Sequence, residues 1–352
     1  MRAHALPVST RRHADDPGEL APDAPIGEAV GWAVAHAVHA PSELNSQPWS
    51  FRASVDRLGT TAVVELLLDA SRLLPRVDPD GREAVLACGA ALENLLLVLH
   101  GAGLSTTVAL TPGPPRTPLV LAEVTVSGRA TEPAADRPLR LAIPFRGSHR
   151  GDFEPAQVPS ALLDHLVAAA AAAGAPVTVV DDTARALLVA LEDQGTALLR
   201  ADPAYLAEVA AWIRTNTSEQ RDGVPGYARG LTTWQSWVDS FRQRTGHHPP
   251  RGFTSTTALT DAAVLIVVGA PSDAPDALVR AGRAMQRLLL TARTAGLSAS
   301  FCNAALQVPA LRPAVGRAVQ LDHPQVLLRL GYAPHDPPVP RRTVRDVLHV
   351  TS

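Results

Sequence analysis

The chain has 352 residues and carries 32 basic and 34 acidic side chains, a formal net charge of −2. This balance gives no global field that would attract nucleic acid, a lipid surface or a polyacidic partner, while the length allows two average domains or one large one. Cys88 and Cys302 lie in apolar runs without the spacing of a disulfide framework or a zinc site, so we expect two buried thiols and no metal.

Residues 1–25 are predicted to form a disordered tail, because they are polar and lack the apolar region of a signal peptide. The most apolar stretch, from Ala161 to Val180, is interrupted by Asp164, His165 and a Gly-Ala-Pro sequence, and is too short to span a membrane. We therefore expect a cytoplasmic protein that contacts neither a membrane nor nucleic acid.

An alanine-rich helix is predicted from Gly27, and it must end before Pro41, which does not fit inside a helix. The following segment, APSELNSQPW, places Ser42, Asn45 and Gln47 on one short turn. Such a turn can hold the edge of a heteroaromatic ring. It can equally be an ordinary helix-to-strand loop whose polar side chains satisfy nearby backbone groups.

An internal similarity follows. Residues 89–105 (GAALENLLLVLHGAGLS) match residues 282–298 (GRAMQRLLLTARTAGLS) at a constant offset without a gap. Each copy predicts a buried helix that ends at a left-handed glycine and leads into a strand. Asp80 is predicted to cap the first helix, with Glu83 completing a capping box. Buried strands are predicted on either side of the two helices, at 61–69, 118–126, 262–270 and 325–332.

The repeat predicts two strand–helix–strand halves, at 26–128 and 145–352, joined by a connector rich in proline and arginine at 129–144. Chance similarity between alanine-rich segments is the alternative explanation. The second half is larger, with helices predicted near 160–173, 183–199, 203–217 and 231–243 and a lid-like insertion near 215–260.

Two groups of arginines have the chemistry of an anion site. The segment RGSHRGDF supplies Arg146, Ser148 and Arg150, which together offer two guanidinium groups and a hydroxyl to a phosphate monoester. Arg341 and Arg342 follow a proline-rich extended stretch and could reach the same anion. Solvated surface arginines remain the alternative for each group.

These segments carry a family resemblance. APSELNSQPW resembles the APSxxNxQPW signature of the nitroreductase superfamily, and RGSHRGDF is similar to its Arg-x-Ser/Thr-x-Arg motif. PQVLLRLGY and PRRTVRDVL resemble the fused, Acg-like branch of FMN-binding proteins, so the likeness spans roughly residues 26–349. The resemblance implies an α+β, nitroreductase-like fold of two fused halves related by a pseudo-twofold axis, each a mixed, mostly antiparallel sheet packed with helices.

The resemblance also implies an FMN site built from both halves. Gln47 and Trp49 would mainly support the turn. Backbone N–H groups near Asn303 and Ala304 would face the flavin. The ring would lie against Pro41, Ser42 and Asn45, and the phosphate would lie against Arg146, Ser148, Arg150, Arg341 and Arg342.

The usual family member is a homodimer with two FMN sites, but each half of this chain lacks an element that the other half keeps. Residues 22–30 (PDAPIGEAV) lack the arginine motif, and residues 173–180 (AGAPVTVV) lack the polar turn. We therefore expect one FMN per chain, and a monomer is plausible because the fused halves mimic the family dimer.

The function implied is an NAD(P)H-dependent oxidoreductase that transfers hydride through flavin N5 to a small-molecule acceptor, with no catalytic side chain identified. The alternative is a flavin-sequestering or stress-related protein, in which the insertion, containing Trp234 and Trp237, closes over the flavin and excludes nicotinamide. A dehydrogenase acting on a small natural product is a third possibility.

Overall fold

The computed structural model describes residues 18, 20, 21, 23–110, 119–245, 264–334 and 337–351. Most of the tail expected at 1–25, residues 246–260 of the predicted insertion and the start of the strand predicted at 262–270 lie outside the described residues.

The N-terminal part alternates helices with hairpin strands. It contains α1 (Ile26–Ala37), a 3₁₀ turn (Glu43–Asn45), β1 (Trp49–Val55), β2 (Thr61–Leu68), a second 3₁₀ turn (Ala70–Arg72), α2 (Arg82–Gly101), β3 (Leu104–Leu110) and β4 (Val120–Arg129).

The middle of the chain is mainly helical. It contains α3 (Asp136–Ala142), a 3₁₀ turn (Ile143–Phe145), α4 (Ser160–Ala172), β5 (Val177–Val179), α5 (Asp182–Ala201), α6 (Pro203–Ala211), β6 (Ile213–Arg214), β7 (Val224–Pro225), a 3₁₀ turn (Gly226–Arg229) and α7 (Thr233–Thr245).

The C-terminal part repeats the strand–helix–strand order. It contains β8 (Val264–Ala270), α8 (Pro275–Thr294), β9 (Leu297–Phe301), α9 (Ala304–Gln307), α10 (Arg312–Val319), β10 (His323–Tyr332), α11 (Val344–Val347) and β11 (Leu348–Thr351).

Two sheets flank the central helices. One has the order β11-β1-β2-β4-β3 and the other β5-β8-β10-β9, with a short β6-β7 pair beside them. All pairs in the two large sheets are antiparallel except β1 with β11, which run parallel with Phe51 opposite Leu348. The expected α+β class with mostly antiparallel sheets is confirmed. Strand β11 was not predicted; its residues, which the sequence assigned to the C-terminal half, complete the N-terminal sheet.

The two copies of the repeat pack against each other as α2 and α8. A Cβ atom on Gly282 would overlap the carbonyl oxygen of Leu86, and one on Gly89 would overlap that of Val279. The two glycines are matched positions of the repeat, and so are the two carbonyls they meet. This reciprocal contact requires glycine on both helices and supports a pseudo-twofold relation between the halves.

Most of the predicted elements are present, with local differences. Gly103 and Gly296 follow the paired helices with φ of 73° and 79°, as predicted. The predicted N-cap at Asp80 is wrong. The Asp78 carboxylate accepts hydrogen bonds from the backbone N–H groups of Glu83 (3.1 Å) and Ala84 (2.9 Å), so Asp78 caps the helix instead. The connector at 129–144 contains helix α3, and α6 ends at Ala211 instead of near 217.

Helix α2 is long and apolar enough to cross a bilayer by length and composition, a match that the sequence reading did not anticipate. In the fold it is a central core helix, because 89% of its apolar window is buried. Cys88 on this helix and Cys302 after β9 are both buried, as expected.

Candidate functional site

A cleft between the N-terminal turn and the arginine motif has two adjoining ends that share Pro41, Ser42, Ser148 and Arg150. The basic end, with a volume of about 560 Å³, is also lined by Asn45, Arg146, Gly147, Gly223, Val224, Ala228, Pro337, Pro338, Val339 and Arg341. The wider end, about 750 Å³, is called here the apolar end after Leu44, Leu86, Ala87, Met285, Phe301 and Val326. Its lining also includes the polar residues Glu43, Glu83, His149, Ser300 and Asn303.

The turn that forms one wall is conformationally strained. Leu44, Asn45 and Gln47 have φ of 49°, 55° and 53°, in the left-handed region that non-glycine residues seldom adopt. The hydroxyl of Ser42 accepts a hydrogen bond from the Gln47 backbone N–H (2.9 Å), and the buried Gln47 side chain donates to the Arg221 carbonyl (2.8 Å). Contacts from distant parts of the chain therefore hold the turn in this shape.

Asn45 connects the turn to two other segments. Its Nδ2 donates to the carbonyls of Gly223 (3.0 Å) and Pro340 (3.1 Å), and its Oδ1 accepts from Arg341 Nη1 (2.5 Å). Asn45 lines the basic end and not the apolar end. This arrangement differs from the expected contact with a ring, because the side chain is committed to positioning Arg341.

Arg146 and Arg341 are buried at the basic end without a counter-ion among the described residues. Arg146 Nη2 donates to the His39 carbonyl (3.0 Å), whereas its Nε and Nη1 and the Nε of Arg341 have no partner in the described part of the chain. Burial, reinforced by neighbouring arginines, lowers the pKa of Arg146 to about 10 and that of Arg341 to about 9. Two buried cations with unused donors have the chemistry that binds an anion.

Ser148 and Arg150 lie at the junction of the two ends because their segment runs beside β9. Ser148 forms an isolated parallel bridge with Ala299, whose carbonyl accepts from the His149 backbone N–H (2.7 Å). The structure thus brings Arg146, Ser148, Arg150 and Arg341 together with Pro41, Ser42 and Asn45 around one cleft.

Arg342 points away from the cleft. Its backbone N–H donates to Gln47 Oε1 (2.8 Å), its Nη2 donates to the Asp346 carbonyl (2.7 Å), and its Nη1 lies 3.6 Å from the Asp69 carboxylate. The geometry therefore does not support the predicted role of Arg342 as a phosphate ligand. Gln47 and Trp49 are fully buried and lie behind the turn, so Gln47 does not line either end of the cleft.

The loop after β9 differs in part from the expectation. Asn303 lines the apolar end, with its Oδ1 accepting from the Leu327 backbone N–H (3.0 Å). The backbone N–H of Ala304 donates to Glu192 Oε1 (3.0 Å), and Ala304 does not line the cleft. The predicted ligand role of the Ala304 N–H is therefore not supported, because a carboxylate from α5 already occupies this donor.

Two acidic residues at the apolar end were not predicted from the sequence as part of the site. Glu43 occupies one of the unspecified positions of the APSxxNxQPW signature, and Glu83 lies in the first turn of α2. Burial raises the pKa of Glu43 to about 7, against the opposing effect of Arg150, and raises that of Glu83 to about 8, with Glu43 adding to the increase. Glu83 carried only a capping signal in the sequence, and nothing in the sequence indicated that the two would meet.

The described part of the insertion covers the basic end. The Asp222 carboxylate pairs with Arg72 (2.5 Å) and Arg214 (2.8 Å), and the Tyr227 hydroxyl donates to the Pro338 carbonyl (3.2 Å). None of the insertion residues that the structure describes lines the apolar end. The insertion therefore encloses the anion site and leaves the wider end uncovered by its described part.

Comparisons with known proteins agree with this architecture. The family model of the nitroreductase family matches residues 143–332, which is more than half of the chain. The protein Rv3131 of Mycobacterium tuberculosis, provisionally named an NAD(P)H nitroreductase, is 30% identical over 92% of this chain and 92% of its own length. The similarly named protein acg of the same organism is 29% identical over 92% and 96%.

Among solved structures, the FMN-dependent nitroreductase NfnB of Mycobacterium smegmatis in complex with NADPH matches 62% of this chain and 98% of its own, with 16% identity and a TM-score of 0.39. The FMN- and NADPH-dependent NfnB of a Sphigopyxis strain matches 62% and 100%, with 16% identity and a TM-score of 0.40. The family match and the near full-length 30% relative confirm the resemblance found in the sequence, and this chain belongs to the nitroreductase family.

Proposed function

We propose that the chain binds one FMN in this cleft and acts as an NAD(P)H-dependent oxidoreductase. The observation that carries the proposal is the pair of buried guanidinium groups, Arg146 and Arg341. Three of their N–H-bearing nitrogens lack partners in the described part of the chain, and they lie at one end of a cleft whose other end is wider and includes apolar side chains. A phosphate joined to a flat aromatic ring has the matching chemistry. The names of the relatives support the same assignment.

The residues present fit FMN. A phosphate monoester accepts several hydrogen bonds, so it can satisfy the unused donors of Arg146 and Arg341 and compensate their charge. Ser148 and Arg150 would add donors at the junction. The ring would then occupy the apolar end, beside Pro41 and side chains that include Leu44, Leu86, Met285, Phe301 and Val326.

Three of the predicted ligands receive a different role in this proposal. Asn45 positions Arg341 through a side-chain hydrogen bond. Gln47 and Arg342 hold the turn and the C-terminal segment together. Each of the three would affect binding indirectly, by fixing the distance between the turn and the basic end.

When bound, FMN supplies the chemistry, because its N5 accepts a hydride from NAD(P)H and returns it to an acceptor. The contribution of this chain is binding, orientation and exclusion of water. The arginines would anchor one end, the apolar side chains would pack against the ring at the other, and the insertion would shield the buried cations from solvent.

A single cofactor per chain follows from the composition of the cleft. Its basic end takes residues from the RGSHR motif and from the C-terminal segment, and its turn comes from the N-terminal part, each present once in the sequence. Because one chain supplies all three, we propose a monomer as the functional unit. We also propose a cytoplasmic location, since the apolar helix α2 is buried in the core.

Flavin sequestration is the second candidate, and the coverage of the basic end by the insertion favours it. The apolar end is where a nicotinamide ring or an acceptor would stack, and no described insertion residue lines it. This difference between the two ends favours the oxidoreductase.

The test combines stoichiometry with anaerobic reduction. The purified protein should contain about one FMN per chain, and its flavin absorbance should bleach when NADPH or NADH is added without oxygen. Bleaching by dithionite alone would indicate sequestration. A colourless protein whose melting temperature does not rise with added FMN would refute the proposal, because a bound ligand must stabilise the folded state.

A further inference from the structure

Two carboxyl groups from distant parts of the chain face the same apolar cavity. Glu43 comes from the strained turn and Glu83 from the first turn of α2. Carboxyl groups are costly to bury unless they are neutral or well paired. Their presence at the wide end of the cleft, where an electron acceptor would bind, therefore requires an explanation.

Hydrogen bonding fixes one member of the pair. The Glu83 carboxylate accepts from Gln307 Nε2 (3.1 Å), Asn303 Nδ2 (3.4 Å) and Arg82 Nη2 (3.3 Å). No side-chain donor among the described residues contacts the Glu43 carboxylate, which is half-buried at the cavity wall. Glu83 is thus held in place, and Glu43 remains accessible from the cavity.

Arg82, which pairs with Glu83 at 3.3 Å, and Arg150 oppose the effect of burial on the two carboxyls but do not outweigh it. The charged and titratable groups around the pair are Arg150, Asp78, Arg82 and Tyr205, and His149 lines the same cavity. Burial is the largest effect on both carboxyls, and it raises both pKa values toward or above neutrality. Since two nearby carboxylates repel each other, the favoured state near pH 7 holds a proton.

We propose that Glu43 and Glu83, which line the same cavity, retain a proton on one of the two carboxyls at neutral pH and donate it to the electron acceptor bound at the apolar end. This inference rests on the proposed function. A quinone becomes a hydroquinone by taking up two electrons and two protons. A hydride, which originates from NAD(P)H, brings both electrons and one proton. The carboxyl pair supplies the second proton to the other quinone oxygen and recovers it from solvent through the accessible Glu43.

The first test needs no flavin turnover. In the apo-protein labelled with ¹³C at the glutamate carboxyls, one pair of signals should titrate near or above neutral pH, and it should disappear in Glu43→Gln and Glu83→Gln. Glu28→Gln, at an exposed position on α1, is the matched control and should leave these signals unchanged. If the signals that these two variants remove titrate in the ordinary acidic range, the inference is wrong, whatever the buried Glu192 does.

The second test compares two acceptors in the FMN-loaded protein. The double variant E43Q/E83Q should slow oxidation of the reduced protein by a quinone by roughly 100-fold, the usual range for loss of a general acid. Oxidation by ferricyanide, which takes electrons without protons, should change little. Equal slowing with both acceptors, or with neither, would overturn the inference.

The two outcomes separate the inference from the proposed function. If the wild-type chain binds no FMN, the proposed function fails, whatever the carboxyls do. If the wild type binds FMN and is reduced by NADPH, but the quinone and ferricyanide rates respond alike in the variants, only the inference fails. FMN affinity measured for each variant shows that the site is intact before rates are compared.

Discussion

Replacing Arg146 by methionine should make the ligand-free protein more stable and its binding of FMN weaker. The lowered pKa of Arg146, from 12.5 to about 10, corresponds to about 3 kcal/mol of unfavourable charge burial, at 1.4 kcal/mol for each pKa unit. Methionine removes that cost but also loses the hydrogen bond to His39, worth about 1 kcal/mol. The net expectation is a gain of about 2 kcal/mol.

The direction of the Arg146 pKa shift determines how its effect on stability depends on pH. A basic group whose pKa is lower in the folded state destabilises that state at every pH below the folded value, and the penalty declines as the pH rises from about 10 toward 12.5. At neutral pH the whole difference between Arg146→Met and wild type should therefore be visible. FMN affinity should fall by roughly 10- to 100-fold, since hydrogen bonds to a charged group contribute about 1.5–3 kcal/mol.

Urea denaturation of the apo-proteins, with and without inorganic phosphate, measures the change in stability and the response to an anion, and titration with FMN measures the affinity. Phosphate should stabilise the wild type more than Arg146→Met. Arg52→Met is the matched control, because this arginine is partly exposed and pairs with Glu65 at 3.2 Å, so its loss should change stability by less than about 1 kcal/mol and leave the response to phosphate intact. A less stable Arg146→Met that binds FMN as tightly as wild type would refute the reasoning.

Three further outcomes follow from the geometry. Gly223→Ala should loosen the insertion and weaken FMN binding, because φ is 72° and the new Cβ would lie 2.5 Å from a backbone oxygen. The control Gly230→Ala, with φ of 71° and no neighbour within 4 Å, should show only the backbone cost of about 1 kcal/mol; proteolysis and unfolding measure both variants. Gly282→Ala should force α2 and α8 apart and lower the free energy of unfolding by about 1–3 kcal/mol. The control Gly31→Ala, with no neighbour within 4 Å, should stabilise the protein slightly, and unchanged stability of Gly282→Ala would contradict the packing. The apo-protein should lose stability between about pH 4.5 and 8, because a raised carboxyl pKa favours the folded state only while the proton is bound, and Glu83→Gln should flatten that slope in denaturation curves measured across this range.

The elements that could be predicted from the sequence are those determined by local pattern. Strand β2 and helix α8 were recognised because apolar residues recur at the period of each structure. The position of β11 was missed because its partner, β1, lies almost 300 residues away, and no local signal specifies such a pairing. The capping of α2 was assigned to Asp80 because it fitted a sequence pattern, whereas the loop geometry brings Asp78 to the helix end.

Sequence motifs predicted most of the residues around the cleft, but not the directions in which their side chains point. Arg341 and Arg342 are adjacent in an extended segment, where successive side chains point to opposite sides, so only one of them could enter the cleft. The sequence could not say which. Ala304 lost its predicted role to Glu192, which reaches it from 112 residues away. Glu43 and Glu83 were missed as a pair because their proximity exists only in the tertiary structure.

The fold itself holds the two central cations together. Arg146 and Arg341 repel each other, and the burial of each charge destabilises the ligand-free protein. Arg341 is nevertheless held in place, because Asn45 binds its guanidinium on one side and Arg342, followed by β11, ties the chain to the N-terminal sheet on the other. The energy of sheet pairing thus offsets a local electrostatic cost that only an anion can relieve. Stability alone does not account for this arrangement, and the proposed binding of an anion does, because the anion would compensate both charges.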